Sequence, residues 1–220
     1  MRIRFFGQDI LAAVRPFRLL LATLVIAAGF AGMQAQAATP STPAEQFIAE
    51  NVQKGLIILN NKTLTKDLRR AQFRDFLLGL VDVKVIADYT LGQYRRTATP
   101  ADIGAFDDAF KDYAFAVYQV YFNKFSGQTL QVTGSYQLAA DESVVKSIMV
   151  DPTKSNEAKP LRVDFRVAAV HGHLAVIDFA VEGVWLRETE RSDFTSYLGQ
   201  NSGNIALLTS SLRTKTQGMH

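Results

Sequence analysis

The chain has 220 residues, with 24 Lys and Arg against 21 Asp and Glu, a formal net charge of +3 and no cysteine. The missing cysteine excludes a disulfide framework, a thiolate metal site and an acylated cysteine anchor. Hydrophobic residues make up 48% of the sequence, enough for a substantial core.

The first 37 residues read as an export signal. Arg2, Arg4, Arg15 and Arg18 form a basic start, Leu19–Phe30 is an apolar core, and Ala35-Gln36-Ala37 is a small-x-small site with cleavage expected after Ala37. The apolar core is short beside the about 20 residues of a membrane span; an uncleaved anchor is the competing reading. Removal takes four arginines and one acid, Asp9, and leaves 20 basic and 20 acidic residues. The mature chain is then neutral, and nucleic-acid binding loses the basic footprint it requires. Residues 38–220 are long enough for one domain.

Helices come first. Phe47, Ile48, Val52, Leu56 and Leu59 recur at helical spacing over 44–59, and Asn60-Asn61-Lys62 ends the pattern. Leu68, Phe73, Phe76, Leu77 and Leu80 predict a second helix over 65–80, and a third, short one covers 83–89. Thr99 is a good N-cap, Pro100 suits the first helical position, and Asp102 can complete a capping box. They open the longest predicted helix, 100–125, whose stripe is Ile103, Phe106, Phe110, Tyr113, Val117 and Tyr121, flanked by Phe115, Tyr118, Phe122 and Phe125. Taken alone, such a stripe reads as core.

Strands follow over 128–138 and 144–150, then a polar loop over 151–160 bounded by Pro152 and Pro160. From Leu161 two strands alternate with period 2. Leu161, Val163, Phe165 and Val167 share one face, with Arg162, Asp164 and Arg166 on the other; Ile177, Phe179 and Val181 then oppose Asp178 and Glu182. His171-Gly172-His173 closes the hairpin. Helices return near 191–198 and over 204–212, with Asn201-Ser202-Gly203 between them. Helices, antiparallel strands, then helices make an α+β pattern.

Chemical motifs are sparse. There is no Gly-x-Ser-x-Gly, phosphate-binding loop, dinucleotide fingerprint or His-Glu-x-x-His. His171 and His173 read as a turn pair rather than metal ligands. Asp164, Asp178 and Glu182 share the polar face with Arg162 and Arg166, so cross-strand ion pairs are expected rather than paired-carboxylate catalysis. Arg191 is expected to anchor its helix through Glu188 or Asp193, the alternative being a lipid headgroup contact.

Two blocks resemble a known family. In the first, Ala87, Leu91, Gly92, Tyr94, Arg96, Ala98, Thr99 and Pro100 fit its pattern; in the second, Val163-Asp164-Phe165, Asp178, Val181-Glu182-Gly183-Val184, Leu186, Arg191, Ser192 and Phe194 do. Arg95, Leu174, Trp185 and Glu190 depart from it. The family is MlaC, also called the toluene-tolerance or Ttg2 auxiliary family. The resemblance implies a periplasmic monomer with an antiparallel four-stranded sheet clasped by helices, and a lipid cavity between them. It implies a phospholipid carrier without cofactor or catalytic group, exchanging with an inner-membrane ABC lipid transporter complex and an outer-membrane lipoprotein complex. Part of the aromatic stripe then becomes cavity wall, and the residues expected to touch lipid are Phe110, Tyr113, Val117, Val163, Phe165, Ile177, Phe179 and Val181. A hopanoid-carrying branch is the alternative cargo. The rivals are a cone-shaped α+β enzyme using Asp88 as general base in an apolar cavity, and an adaptor with a solid core.

Overall fold

Capping chemistry sets where the helices begin. Thr42 Oγ1 accepts the Glu45 N–H at 3.2 Å, while the Glu45 carboxylate accepts the backbone N–H groups of Ser41 at 2.7 Å and Thr42 at 3.4 Å. This box opens α1 (Pro43–Leu59), and a contact of 3.2 Å between Thr42 Oγ1 and Ser135 Oγ ties it to the sheet. Thr65 caps α2 (Lys66–Leu80), Asp82 caps α3 (Val83–Thr90), and a 3₁₀ turn follows over Gly92–Arg96. Thr99 caps α4 (Pro100–Phe122) as expected, accepting the Asp102 N–H at 3.1 Å. The computed structural model describes residues 40–122, 125–152 and 160–219. The export signal, most of the 151–160 loop and the side chains of Tyr118, Tyr121 and Phe122 lie outside the described residues. Phe125, expected in the long helix, is not helical, and at Gly127 the backbone turns at φ +101°.

The sheet is antiparallel, in the order β1 (Thr129–Ala139), β2 (Glu142–Val150), β3 (Leu161–Val170), β4 (His173–Val181) and β5 (Val184–Trp185). It has five strands where four were expected. Glu182 and Gly183 both adopt positive φ, 51° and 82°, a two-residue turn that pairs Val184 with Val181 and Trp185 with Ala180. The β3–β4 turn has the same form at His171 (φ 50°) and Gly172 (φ 83°). A bulge corrects the alternation read from sequence. Arg166 pairs with Asp178 but Val167 pairs with Val176, leaving Ile177 as the extra residue. Val176 and Leu174 therefore continue the face of Phe179, and both pack with the apolar residues over the sheet.

The last two helices are α5 (Leu186–Gln200) and α6 (Ile205–Gln217). α5 starts five residues before the expected Arg191 because its cap comes from another strand: Asp178 Oδ1 on β4 accepts the Arg187 N–H at 3.0 Å. A carboxylate at a helix start also complements the helix dipole.

Among the described residues, two apolar cores result. In one, Ala44 and Ile48 of α1 pack on Val132, Val145, Val167 and Val176 of the sheet. The other lies among helices: Ile86, Leu91, Phe106, Phe110, Phe194 and Leu208 are among its members. Val81 joins them, pairing with Val176 of β4 while packing against both clusters.

Candidate functional site

Packing loosens along α1, and this makes the site. Ala44 and Ile48 are buried near its start, but after Gly55 no residue of α1 is; Leu56, Ile58 and Leu59 are half-buried and Ile57 is 71% exposed. The sheet face below shows the same gradient. Val132, Val145 and Val167 are buried, whereas Leu130, Met149, Leu161, Phe179 and Val181 on that face keep part of their surface open. α2 carries Phe73, Phe76, Leu77 and Leu80 yet has no buried residue at all. It approaches α1 closely at Gly55, where an added Cβ would stand 3.2 Å from the rings of both Phe73 and Phe76. Arg74 of α2 also lies over the Phe115 ring of α4, 4.5 Å from its centroid. The result is an apolar wedge, tight at the α1 start and looser at the α1 end; beyond that end a separate pocket of about 320 Å³ is lined by Leu59, Asn60, Lys66, Arg69, Phe125, Ser126 and Gly127.

The eight residues expected to contact lipid do not come together. Val163, Phe165, Phe179 and Val181 share the sheet face, with Val163 opposite Val181 and Phe165 opposite Phe179. Ile177 is buried at the bulge. Phe110 and Tyr113 belong to the helical core instead. Phe110 is 2% exposed with its ring centroid 5.8 to 6.4 Å from those of Phe106, Phe194 and Tyr113, and Tyr113 donates its hydroxyl to Glu190 Oε1 at 3.0 Å. Val117 packs against that same core. The register bears out the shared face of Val163, Phe165 and Val167 read from the alternation on β3, but one helical stripe cannot say which of two cores it serves. Sequence reasoning placed Leu161 on this face but missed Leu130 and Met149, whose same-face spacing with Val132 and Val145 carried the signal.

The other sheet face is not wet, as its charges suggested. α5 covers part of it, so Asp178 is fully buried and Asp164 nearly so. Arg166 Nε pairs with Glu142 at 3.1 Å, Arg187 Nε with Asp178 at 3.4 Å, and Arg162 Nε with Asp164 at 3.4 Å. Burial pushes the Asp178 carboxyl up to about 6, against the lowering effects of the Arg187 N–H, of the Arg187 and Arg166 charges and of the Phe179 N–H. Glu182 is not on the strand but in the β4–β5 turn, where it accepts the Arg162 N–H at 2.7 Å. His171 and His173 are exposed at the hairpin end. Arg191 anchors its helix through Tyr89, whose ring centroid lies 4.7 Å from the Arg191 guanidinium and 4.4 Å from that of Arg187.

Asp88 lacks the setting of a general base. It sits at the surface between Arg95 Nε at 2.7 Å and Lys84 Nζ at 3.1 Å. Partial burial raises its pKa, but hydrogen bonds from Arg95 and Lys84 outweigh that and hold the carboxyl below the usual range. A base in an apolar cavity needs the opposite shift. This geometry corrects the Asp88 reading.

The positions that depart from the family pattern are all engaged. Arg95 holds Asp88, Leu174 packs on the sheet core, Trp185 lies 4.8 Å under the Arg166 guanidinium, and Glu190 accepts from Tyr113. The two blocks that fit also have physical reasons. Gly92, at φ +56°, lets the 3₁₀ turn meet α5, since a Cβ there would stand 2.9 Å from Thr195 Cγ2. The Tyr94 ring lies against Gly203 in the α5–α6 turn.

A family model described as MlaC protein matches residues 49–214. The chain belongs to the MlaC family. Its fold is also similar to that of a phospholipid-binding protein from Ralstonia solanacearum, solved in complex with a phospholipid at 1.53 Å. The TM-score is 0.67 at 21% identity, over 79% of this chain and 97% of that one. The expected α+β architecture, an antiparallel sheet clasped by helices, is therefore the shared fold.

Proposed function

We propose that this MlaC-family protein is a carrier whose wedge between the sheet, α1 and α2 takes up the acyl chains of a phospholipid. The observation that carries this reading is the graded burial along α1 and along the apolar sheet face, tight at Ile48 and Val145 and partly open at Leu59, Phe179 and Val181. Membership of the MlaC family and the likeness to a phospholipid complex support it. Each methylene removed from water contributes about 0.8 kcal/mol, so hydrocarbon burial supplies affinity without a cofactor or a catalytic group. In this reading, loading widens the wedge. α2 is the element to move, because it has no buried residue to uncover.

In this reading residues 1–37 direct export and are cleaved after Ala37, and the mature monomer works in the periplasm. It receives and delivers lipid by docking on an inner-membrane ABC lipid transporter complex and an outer-membrane lipoprotein complex. A hopanoid-type terpenoid is the alternative cargo. Mass spectrometry of organic extracts of the mature protein, purified from the periplasm, tests the proposal. Phospholipid is expected in stoichiometric amounts, and its absence across independent preparations refutes a carrier.

A further inference from the structure

Charge is unevenly placed along this chain. Residues 54–74 carry six cations, Lys54, Lys62, Lys66, Arg69, Arg70 and Arg74, and one acid, Asp67, for a net of +5. The other residues of 38–220 hold 14 basic and 19 acidic side chains, a net of −5. The whole positive excess therefore sits on the hairpin of α1 and α2. Ion pairing does not absorb it. Asp67 reaches Arg70 at 3.7 Å, and among the described residues no carboxylate pairs with Lys54, Lys62, Lys66 or Arg69. Helix stability does not account for it either, since Lys66 and Arg69 occupy the first turn of α2, its positive end, where a cation is disfavoured. The outside of the same tip is apolar. Ile57 is 71% exposed and Leu68 55%, the two most exposed large apolar side chains among the described residues. Ile57 lies in the last turn of α1, one turn from exposed Lys54, and Leu68 in the first turn of α2. The connection between them is held in place: Asn61 Oδ1 accepts the Thr63 N–H at 3.0 Å, the Asn61 carbonyl accepts Arg69 Nη1 at 3.4 Å, and Thr65 Oγ1 accepts the Leu68 N–H at 3.3 Å.

We infer that the α1–α2 tip docks this protein on an anionic bilayer surface, with Ile57 and Leu68 entering the interface and Lys54, Lys62 and Lys66 set against the lipid phosphates. Exposed apolar side chains flanked by lysines fit such a surface, because a lysine stem lies along hydrocarbon while its ammonium stays at the headgroup level. Each cation near an anionic membrane adds to the attraction, and salt screens it. The net −5 carried by the rest of the chain is repelled by the same surface, so the field turns the tip toward the membrane. The site lies on the outside of the hairpin and stands whatever fills the wedge; it adds a lipid surface to the docking partners proposed above.

Flotation of the mature chain with vesicles tests this, comparing phosphatidylcholine alone with an equal mixture of phosphatidylcholine and phosphatidylglycerol. The chain is expected to float with the mixed vesicles and not with the neutral ones, and to be released as salt rises. Lys54→Gln, Lys62→Gln and Ile57→Ser should each weaken binding about fivefold. Lys146→Gln, an exposed position on the sheet face away from α1, should leave binding unchanged. All four side chains are exposed, so the melting midpoints should match that of the native chain. Equal binding to both kinds of vesicle, no binding to either, or an equal loss with Lys146→Gln overturns the site. Polyglutamate bound as tightly as the mixed vesicles, with no effect of Ile57→Ser, identifies an acidic protein surface as the partner and overturns the bilayer assignment. Lipid extracted from the same preparations separates docking from carriage. A chain that carries lipid but ignores mixed vesicles loses this site and keeps the carrier reading; the reverse result keeps the site alone.

Discussion

Truncating Phe179 and Phe110 in separate variants should have opposite consequences. Phe110 is 2% exposed and packs on Phe106, Tyr113 and Phe194. Phe110→Ala leaves a cavity in the helical core at a cost of about 3–5 kcal/mol. At about 2–4 °C per kcal/mol for a domain of this size, its melting midpoint should fall by roughly 10 °C. Phe179 is half-buried on the open sheet face opposite Phe165. Full burial of a phenylalanine side chain contributes about 1.5–3 kcal/mol, so Phe179→Ala should cost the empty protein only about 1 kcal/mol. The uncovered part of the ring is what an acyl chain would bury. Losing it should weaken lipid binding by about 1 kcal/mol, roughly fivefold. Thermal denaturation of delipidated variants and displacement of a fluorescent lipid read the two effects. A Phe110→Ala protein that melts normally but loses lipid, or a Phe179→Ala protein that melts early but binds normally, refutes the assignment of wedge and core.

The polar face titrates with a definite sign. The Asp178 carboxyl, pushed up to about 6 by burial, holds its proton more tightly than the unfolded chain does, so folded protein binds more protons between about pH 4 and 6. Stability from this group is therefore lost as pH rises through that window, by about 3 kcal/mol in all. Urea unfolding should show Asp178→Asn gaining on the native protein across it; a difference that stays flat with pH would contradict a buried ionisable carboxyl. Gly183→Ala should destabilise by at least about 1 kcal/mol, since φ is +82° and the new Cβ would stand 2.6 Å from Arg162 Nη2. Gly104→Ala, in α4 with nothing within 4 Å, should instead raise the free energy of unfolding, by up to about 1 kcal/mol. Asp88→Asn breaks surface pairs and should cost less than about 1 kcal/mol, with lipid binding unchanged; a loss of binding would restore a functional role to that carboxyl.

Local rules located most elements. Thr99 and Asp102 announced the start of α4, His171-Gly172 the hairpin, and the alternation Val163, Phe165, Val167 the apolar face of β3, because each is settled by a few neighbouring residues. The start of α5 escaped because its cap, Asp178, is nine residues back on another element. The bulge at Ile177 escaped because it depends on register against β3, which no single strand encodes.

What the sequence determined by itself is the set of amphipathic parts: six helices and a hairpin with one apolar face, most of them bounded by their own caps and glycines. Tertiary structure alone decided which apolar surface is closed and which stays open. Phe110 and Phe179 are equally hydrophobic; one meets Phe106 and Phe194 across a helical core, while the other keeps part of its ring open on the sheet face opposite Phe165. Burial depends on the partner and not on the side chain, and the same holds for charge. Asp178 became a buried helix cap because α5 settled over it.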